Sequence, residues 1–189
     1  FYCGGNVGSM TSANLFNISF SKPIVITNKI VGGCNTAYVA KSDLNDLHQG
    51  GFIGGSNTAD KIILNIDGVI FTTTPQTTAT AGNQGNIFGG CFESGKMVGN
   101  VKINLKENII PATYFANTDS LNAYVNNDTT LFNTPLSVFG GGFGENALVD
   151  GNTTVSVFDG TGNTSGAALK VFGGGYGGTV QGNTTVNIY

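Results

Sequence analysis

The only histidine of the chain, His48, limits the chemistry that this sequence can perform. A Ser-His-Asp triad would have to use it, and the G-x-S-x-G turn that presents the nucleophile of α/β-hydrolases is absent. A metal site with several histidine ligands is excluded for the same reason. His48 shares a polar stretch with Asp43 and Asp46, so we interpret all three as candidate ligand contacts in a loop.

Eleven carboxylates are the other groups that could act on a substrate. Three pairs are candidates: Asp43 and Asp46 are close in sequence, Asp119 and Asp128 share the insertion at residues 106–137, and Asp150 and Asp159 fall near bends of one predicted coil. A glycosidase needs two carboxyls about 5 to 9.5 Å apart, which sequence alone cannot establish. No pair has a spacing that recurs along the chain. We therefore expect solvated turn residues, and we keep a polysaccharide-active enzyme as the alternative function.

The three cysteines are an odd number and show no C-x-x-C spacing. Cys34 and Cys91 each follow two glycines, in the position that a third glycine occupies in later copies of the same motif. We expect them to be small buried residues, and a disulfide between neighbouring repeats stays open. The glycine-rich motif precedes no G-K-[ST] sequence, so we predict no cofactor.

Two motifs repeat along the chain and determine its architecture. The sequence V-F-G-G-G-F-G at residues 138–144 returns as V-F-G-G-G-Y-G at residues 171–177, and G-N-T-T-V at residues 151–155 returns at residues 182–186. Degraded copies of the glycine block bring the number to about six, starting near residues 2, 31, 53, 88, 139 and 172. A period of roughly 30 residues is typical of stacked repeats.

The segments between the glycines alternate apolar and polar residues, as strands do. Val101, Ile103 and Leu105 share one face, while Lys102 and Asn104 point to the other. About three short strands fall in each repeat, and no segment longer than a dozen residues has a helical stripe, although Ser42 could cap a short helix that ends at Gly50. We predict an all-β fold, a parallel β-helix of about six coils, as a single domain over residues 1–189 that forms a section of a longer chain.

Two sets of residues recur at equivalent places and are predicted to stack. Asn100, Asn152 and Asn183 each follow a glycine, and we expect an internal asparagine ladder at a tight bend. Phe88, Phe139 and Phe172 precede the glycines, and we expect a stack of rings in the core. A further aromatic set, with Phe92, Phe143 and Tyr176 as its members, is predicted to be half exposed.

Two insertions interrupt the repeats, at residues 36–50 and 106–137. The second is rich in asparagine and threonine and contains Tyr114, Phe115 and Tyr124. Loops that leave a solenoid usually lie on one face and carry its binding sites. We therefore predict that these aromatic residues contact a ligand together with the polar residues of the first loop.

The bulk composition excludes several classes of partner. The formal net charge is −3 and the eight basic residues are scattered, so nucleic acid is not predicted. Apolar runs are only a few residues long, which argues against a membrane span. Charged residues are only 10% of the chain, and the polar face must consist largely of amides and hydroxyls.

The repeated unit V-F-G-G-G-[FY]-G followed by G-N-T-T-V-x-[IV] resembles glycine-rich repeats of adhesin-like bacterial surface proteins. The match is close over residues 138–189, partial over 87–105 and loose before that. The resemblance implies an extracellular or cell-surface location and transfers no catalytic residue. It predicts a structural or adhesive protein that binds a glycan or a host surface protein through loops or one face and stacks end to end. The alternative is a polysaccharide lyase or glycoside hydrolase of the parallel β-helix type.

Overall fold

The computed structural model describes residues 1–4, 15–20, 24–26, 29–35, 56, 58–66, 69–72, 86–105, 110–113, 137–158 and 170–189. Every helix or strand within these residues is a β-strand, so the all-β prediction is confirmed for the described part of the chain. The strands are β1 Phe16–Phe20, β2 Ile24–Ile26, β3 Ile30–Val31, β4 Asp60–Ile66, β5 Val69–Thr72, β6 Ile87–Phe88, β7 Phe92–Val98, β8 Asn100–Leu105, β9 Ile110–Thr113, β10 Ser137–Phe139, β11 Phe143–Asp150, β12 Thr153–Val157, β13 Lys170–Phe172, β14 Thr179–Val180 and β15 Thr184–Ile188.

The strands form four sheets in which every pair of neighbouring strands is parallel. The five-stranded sheet has the order β1-β4-β8-β12-β15, and the four-stranded sheet has the order β13-β10-β6-β3. Two three-stranded sheets have the orders β14-β11-β7 and β2-β5-β9. Parallel neighbours require long crossover connections, and here each crossover passes through strands of the other sheets.

The same order of strands recurs in successive units. Residues 137–158 supply β10, β11 and β12 to three different sheets, and residues 170–189 supply β13, β14 and β15 to the same three. Val138 pairs with Ile87 on one side and with Val171 on the other. Copies of the glycine block that are related in sequence are therefore neighbours in space.

Three details differ from the sequence-based expectation. Val31 pairs directly with Phe88, and the described residues supply five strands to the largest sheet, where about six coils are predicted. Strand β9 lies inside the segment predicted as a loop at residues 106–137, and β10 begins at Ser137. The other predicted loop, residues 36–50, lies outside the described residues, as do residues 51–55 of the expected glycine block.

The main hydrophobic core consists of aliphatic columns that run across the sheets. In the five-stranded sheet Leu64, Ile103 and Val155 pair in register, and each is fully buried. Each fully buried side chain of this kind contributes about 1.5–3 kcal/mol to stability. The residues between them in sequence point outward and form the opposite face of the sheet.

Glycines in the four-stranded region allow neighbouring units to approach closely. A Cβ atom on Gly141 would lie 2.7 Å from the backbone nitrogen of Gly175 and 2.9 Å from Cγ2 of Val180. Gly33 and Gly90 occupy the same column and meet the next unit in the same way. The glycine block thus specifies a position where the backbone of the following unit leaves no room for a side chain.

Candidate ligand-binding face

The loop residues predicted to contact a ligand lie outside the described residues. They are Asp43, Asp46 and His48 in the first loop and Tyr114, Phe115 and Tyr124 in the second. Their predicted role is neither supported nor contradicted by the geometry. The described part of the chain offers a different candidate, which is the outward side of the five-stranded sheet.

The outward side of the five-stranded sheet is a polar surface, which we call the polar face. It alternates along each strand with the buried aliphatic columns, and neighbouring strands keep it in register. Amide and hydroxyl side chains dominate it, with one lysine and one isoleucine. Its residues are Asn17, Ser19, Ile63, Asn65, Lys102, Asn104, Thr154, Ser156, Thr185 and Asn187.

Side-chain amides on the polar face bond to one another across the strands. Nδ2 of Asn104 donates to Oδ1 of Asn65 at 2.9 Å, and Nδ2 of Asn65 donates to Oδ1 of Asn17 at 3.0 Å. Nδ2 of Asn187 contacts the hydroxyl oxygen of Ser156 at 3.5 Å. The sequence analysis does not predict this ladder, although Asn65, Asn104 and Asn187 each stand one residue before the last apolar position of their strands. The bonds fix the rotamers of these side chains, of which Asn17 is exposed, Asn65 and Asn104 are half-buried and Ser156 is buried.

A single ion pair lies on the polar face within the described residues. Nζ of Lys102 is 2.7 Å from a carboxylate oxygen of Asp60, on the neighbouring strand. A second pair, Lys96 with Asp150 at 3.2 Å, also joins neighbouring strands but belongs to a three-stranded sheet. The face is therefore nearly neutral and offers mainly uncharged donors and acceptors.

The predicted asparagine column lies at the bend before the five-stranded sheet. Oδ1 of Asn100 accepts a hydrogen bond from the backbone N–H of Asn152 at 2.9 Å, and Oδ1 of Asn152 accepts one from the backbone N–H of Asn183 at 2.8 Å. The expectation differs from the structure in two respects. These bonds are exposed rather than internal, and each joins a side chain to a backbone group rather than amide to amide. Short polar side chains at bends commonly bond to backbone groups in this way.

The predicted aromatic residues form two parallel columns. The rings of Phe88, Phe139 and Phe172 stack at centroid distances of 5.2 and 4.8 Å, with interplanar angles of 9° and 5°. The other set, with Phe92, Phe143 and Tyr176 as its members, stacks at 4.7 and 5.4 Å. Rings of the two columns meet edge to face, for example Phe139 and Tyr176 at 5.6 Å. Such contacts add about 0.5–1.5 kcal/mol per pair to the energy of burial.

The phenylalanine column is buried at Phe88 and Phe139, as predicted for a core stack, but it lies on the opposite face of its sheet from the main core, and Phe172 is about half exposed. Ile87 and Val138 belong to the main core, whereas the next residues, Phe88 and Phe139, belong to a separate cluster. Adjacent strand residues point to opposite faces, so both cannot enter the same core. The aromatic columns therefore form a second hydrophobic cluster outside the aliphatic one.

A lysine and a glutamate flank this aromatic cluster. Nζ of Lys29 lies 3.5 Å from the ring centroid of Phe92, and burial lowers the pKa of Lys29 while the charge of Glu93 partly offsets that effect. Glu93 has φ of 66°, and the equivalent positions after the later aromatics are Gly144 and Gly177, with φ of 93° and 73°. A positive φ costs a non-glycine residue roughly 1–2 kcal/mol. Glu93 is therefore an exposed residue in a backbone conformation that is unfavourable for a side chain other than glycine.

Thiols occupy the column next to that of Gly141, at the position where the later units have Gly142 and Gly175. Cys34 and Cys91 are fully buried in neighbouring units, and neither forms a disulfide. A hydrogen bond with Cys34 and burial together raise the pKa of Cys91, and burial raises the pKa of Cys3 to about 12. Ionisation is disfavoured at these positions, so the thiols act as packing groups rather than as nucleophiles.

Catalytic or metal-binding clusters are not found among the residues that the structure describes. No group of three or more His, Cys, Asp or Glu side chains there could hold a metal ion. Four carboxylates are described, and two of them, Asp60 and Asp150, lie beside lysines on different sheets. The same residues include no helix that is long and apolar enough to span a membrane.

Comparison with known proteins adds no family to these observations. No protein-family model, no curated protein and no solved structure matches the chain. The polar face is therefore interpreted from its own chemistry. It combines a parallel sheet, strands that pair in register and side chains that can donate and accept hydrogen bonds.

Proposed function

We propose that the chain is a structural or adhesive repeat protein of a bacterial surface, built as a parallel β-helix. The sheet orders support the winding, because each strand lies beside its counterpart only after the chain has contributed to the other sheets. The resemblance of the VFGGG and GNTTV motifs to adhesin-like repeats supports an extracellular location. Adhesion and self-association are the two roles that such a scaffold can serve.

The polar face is the surface that we propose for adhesion. Its amides and hydroxyls recur at the strand spacing of about 4.8 Å, so a polymer with regularly spaced hydroxyl groups could bond to several strands at once. Glycans have this chemistry, and the near-neutral surface gives no reason to expect a strongly charged ligand. The observation that carries the proposal is the in-register array of side chains, mainly amides and hydroxyls, on one face of the five-stranded sheet.

The hydrogen-bonded amides of the polar face favour binding by reducing its entropic cost. Asn65 and Asn104 are held by bonds to each other and to Asn17 before any ligand arrives. Ordering a free polar side chain on binding costs about 0.5–1.5 kcal/mol, and a held side chain avoids part of that cost. We propose that residues 36–50 and 106–137 add contacts from loops.

A polysaccharide lyase or glycoside hydrolase remains the alternative hypothesis. It would require a groove lined by several carboxylates along the stacked units. The described residues show no such groove, and the two ion-paired carboxylates belong to different sheets. A glycan-binding role without catalysis fits the polar face better.

A glycan array probed with the purified chain tests the proposal. The variant Thr154→Val with Thr185→Val keeps the side-chain shape and removes two hydroxyls from the polar face. Each lost hydrogen bond should cost about 1 kcal/mol, so affinity should fall roughly 30-fold. Thr179→Val is the matched control, since Thr179 is exposed on a three-stranded sheet.

The outcomes separate the candidate surfaces. Binding that is lost in the polar-face variant and kept in the control supports the proposal. Unchanged binding in the polar-face variant would assign adhesion to another surface and contradict it. Release of reducing ends or unsaturated products from any bound glycan would favour the enzyme instead.

A further inference from the structure

Two of the three cysteines lie in one column of the stack. The backbone N–H of Gly33 donates to the carbonyl of Gly90 at 3.0 Å, and that of Phe92 donates to the carbonyl of Cys34 at 2.8 Å. These two bonds bracket Cys34 and Cys91, so the two residues are direct neighbours in adjacent units. The two later units have glycine at the same position, and the cysteines therefore occur as an adjacent pair.

The side chains of the pair meet inside the main hydrophobic core. Cys34 and Cys91 are fully buried and belong to the same cluster of core residues. The sulfur of Cys91 is directed towards the unit that carries Cys34, because a Cβ atom on Gly33 would lie 2.7 Å from it. The two side chains also share a hydrogen bond, which contributes to the raised pKa of Cys91. The thiols are therefore in contact across the interface between two units.

The backbone geometry of this column suits a disulfide. Neighbouring strands lie about 4.8 Å apart, and disulfides join residues whose Cα atoms are about 4.4–6.8 Å apart. The third cysteine, Cys3, belongs to a different column, because its backbone N–H donates to Val31 and its position corresponds to that of Gly32. The stack thus aligns Cys34 with Cys91 and leaves Cys3 as the remaining thiol.

We infer that Cys34 and Cys91 form a modification site, at which a disulfide oxidant joins two neighbouring units covalently. One cysteine thiolate attacks a sulfur of oxidised glutathione and releases one molecule of reduced glutathione. The other thiolate then attacks the mixed disulfide and releases the second molecule. Two electrons pass from the cysteine sulfurs to the oxidant, and the two thiol protons leave with the glutathione that is formed.

Burial determines when this bond can form. The thiolate is the reacting species, and both thiols are inaccessible in the finished fold. The bond should therefore form while the units assemble, and a folded chain with reduced thiols should react far more slowly. Structural disulfides persist in oxidising compartments, in agreement with the extracellular location that we propose. Oxidation of this pair does not depend on glycan binding, which uses the polar face.

Peptide mapping of the whole chain tests the pairing. The chain is refolded from urea in a buffer of reduced and oxidised glutathione, its free thiols are alkylated, and it is digested with trypsin. Cleavage after lysine, except at Lys22 before a proline, separates the three cysteines into the peptides 1–29, 30–41 and 62–96. We expect the peptides 30–41 and 62–96 to be joined by a disulfide, with alkylation only at Cys3.

The bond should also stabilise the fold. A cross-link of this kind lowers the equilibrium constant for unfolding by about 30- to 1,000-fold, because it restricts the unfolded chain. Urea unfolding of the oxidised chain, before and after reduction, measures this factor. Cys3→Ser is the matched control and should keep both the joined peptides and the loss of stability on reduction. Cys34→Ser should lose both.

Three results of the mapping would overturn the inference. They are alkylation of all three cysteines after refolding with oxidised glutathione, a bond that involves Cys3, and a bond between two copies of the chain. The mass of the intact protein detects the last of these. All three are read from the unmodified chain, so the test does not require that Cys34→Ser folds.

Discussion

Residues 137–158 and 170–189 carry almost the same motifs but differ sharply in burial. Phe139 is 6% exposed, while its counterpart Phe172 is 45% exposed. Both units supply strands of the same kind to the same three sheets. The local sequence therefore specifies the shape of the unit, whereas the unit stacked upon it determines how much of it is buried.

The comparison shows where the stability of this architecture resides. In stacked repeats each unit contributes an intrinsic term and an interface term with its neighbours. The 137–158 unit has interfaces on both sides, and the 170–189 unit has one among the described residues. The same substitution should therefore cost much more in the first unit than in the second.

The largest difference is expected for the phenylalanine column. Phe139→Ala removes a ring that stacks on Phe88 and Phe172, and it should lower the free energy of unfolding by about 3–5 kcal/mol. Phe172→Ala removes a half-exposed ring and should cost about 1 kcal/mol. Urea unfolding measures both. Equal losses in the two variants would show that burial by the next unit does not determine how much each ring contributes to the free energy of unfolding.

The glycine column gives the next largest difference. Gly141→Ala places a methyl group against Gly175 and Val180 of the next unit and should cost about 1–3 kcal/mol. Gly174 occupies the same column, and a Cβ there meets no atom within 4 Å. Gly174→Ala should be neutral or slightly stabilising, since it restricts the unfolded chain. A shift of the thermal midpoint in Gly174→Ala as large as in Gly141→Ala would contradict this account.

The strands, their repeated order, the asparagine column at the bend and the stacking of the aromatic rings could be predicted from alternation and periodicity. The face on which the aromatic column lies could not. In Ile87-Phe88 and Val138-Phe139 both neighbours are apolar, so the pattern does not show which of them enters the main core. Only packing resolves the choice, because Ile87 and Val138 join the buried residues of the long alternating strands in the main core.

The number of units and the position of the candidate site were also beyond the sequence. A glycine block near residue 53 resembles the others, but a two-glycine match does not show whether the segment pairs within the same sheet. The polar face was visible only as alternation at Lys102 and Asn104. Its ladder depends on the register between strands, which a single sequence does not reveal.

Alkaline pH should affect the early units, where thiols stand in place of glycines. The pKa values of Cys3 and Cys91 are raised in the folded protein, so the unfolded chain releases these protons first as the pH rises above about 8.5. Stability should therefore fall towards pH 12, by at most about 1.4 kcal/mol per pH unit and thiol.

The matched test compares the unmodified protein with Cys3→Ala and Cys91→Ala. The pKa values of Lys29 and Lys61 are lowered in the folded protein, which makes stability rise with pH instead of fall. Only the difference between the variants in how the free energy of unfolding changes with pH is therefore informative. Urea unfolding at pH 7, 9 and 10.5 measures it. A slope that is identical in all three proteins would rule out the thiols as its source.

A smaller difference is expected for the asparagine column at the bend. Asn152→Ala removes the acceptor of the Asn183 backbone N–H and should cost about 0.5–1.5 kcal/mol. Asn183→Ala leaves both described bonds of this column intact, because Asn183 takes part through its backbone, and should cost less than about 0.5 kcal/mol. Amide hydrogen exchange at residue 183 should accelerate only in Asn152→Ala. If exchange at residue 183 were unchanged in both variants, the asparagine column would not contribute to stability.

The smallest effect is expected for the ion pair on the polar face. Lys102 aligns with Thr154 and Thr185, so Lys102→Thr gives this strand the same residue as the two compared units. The pair is partly exposed, and its loss should cost at most about 0.5 kcal/mol, with no further loss in 1 M salt. Urea unfolding at low and high salt measures the cost. A larger and salt-sensitive loss of stability would mean that charge, as well as packing of the side-chain columns, joins neighbouring units. The difference in stability between the 137–158 and 170–189 units would then no longer reflect burial alone.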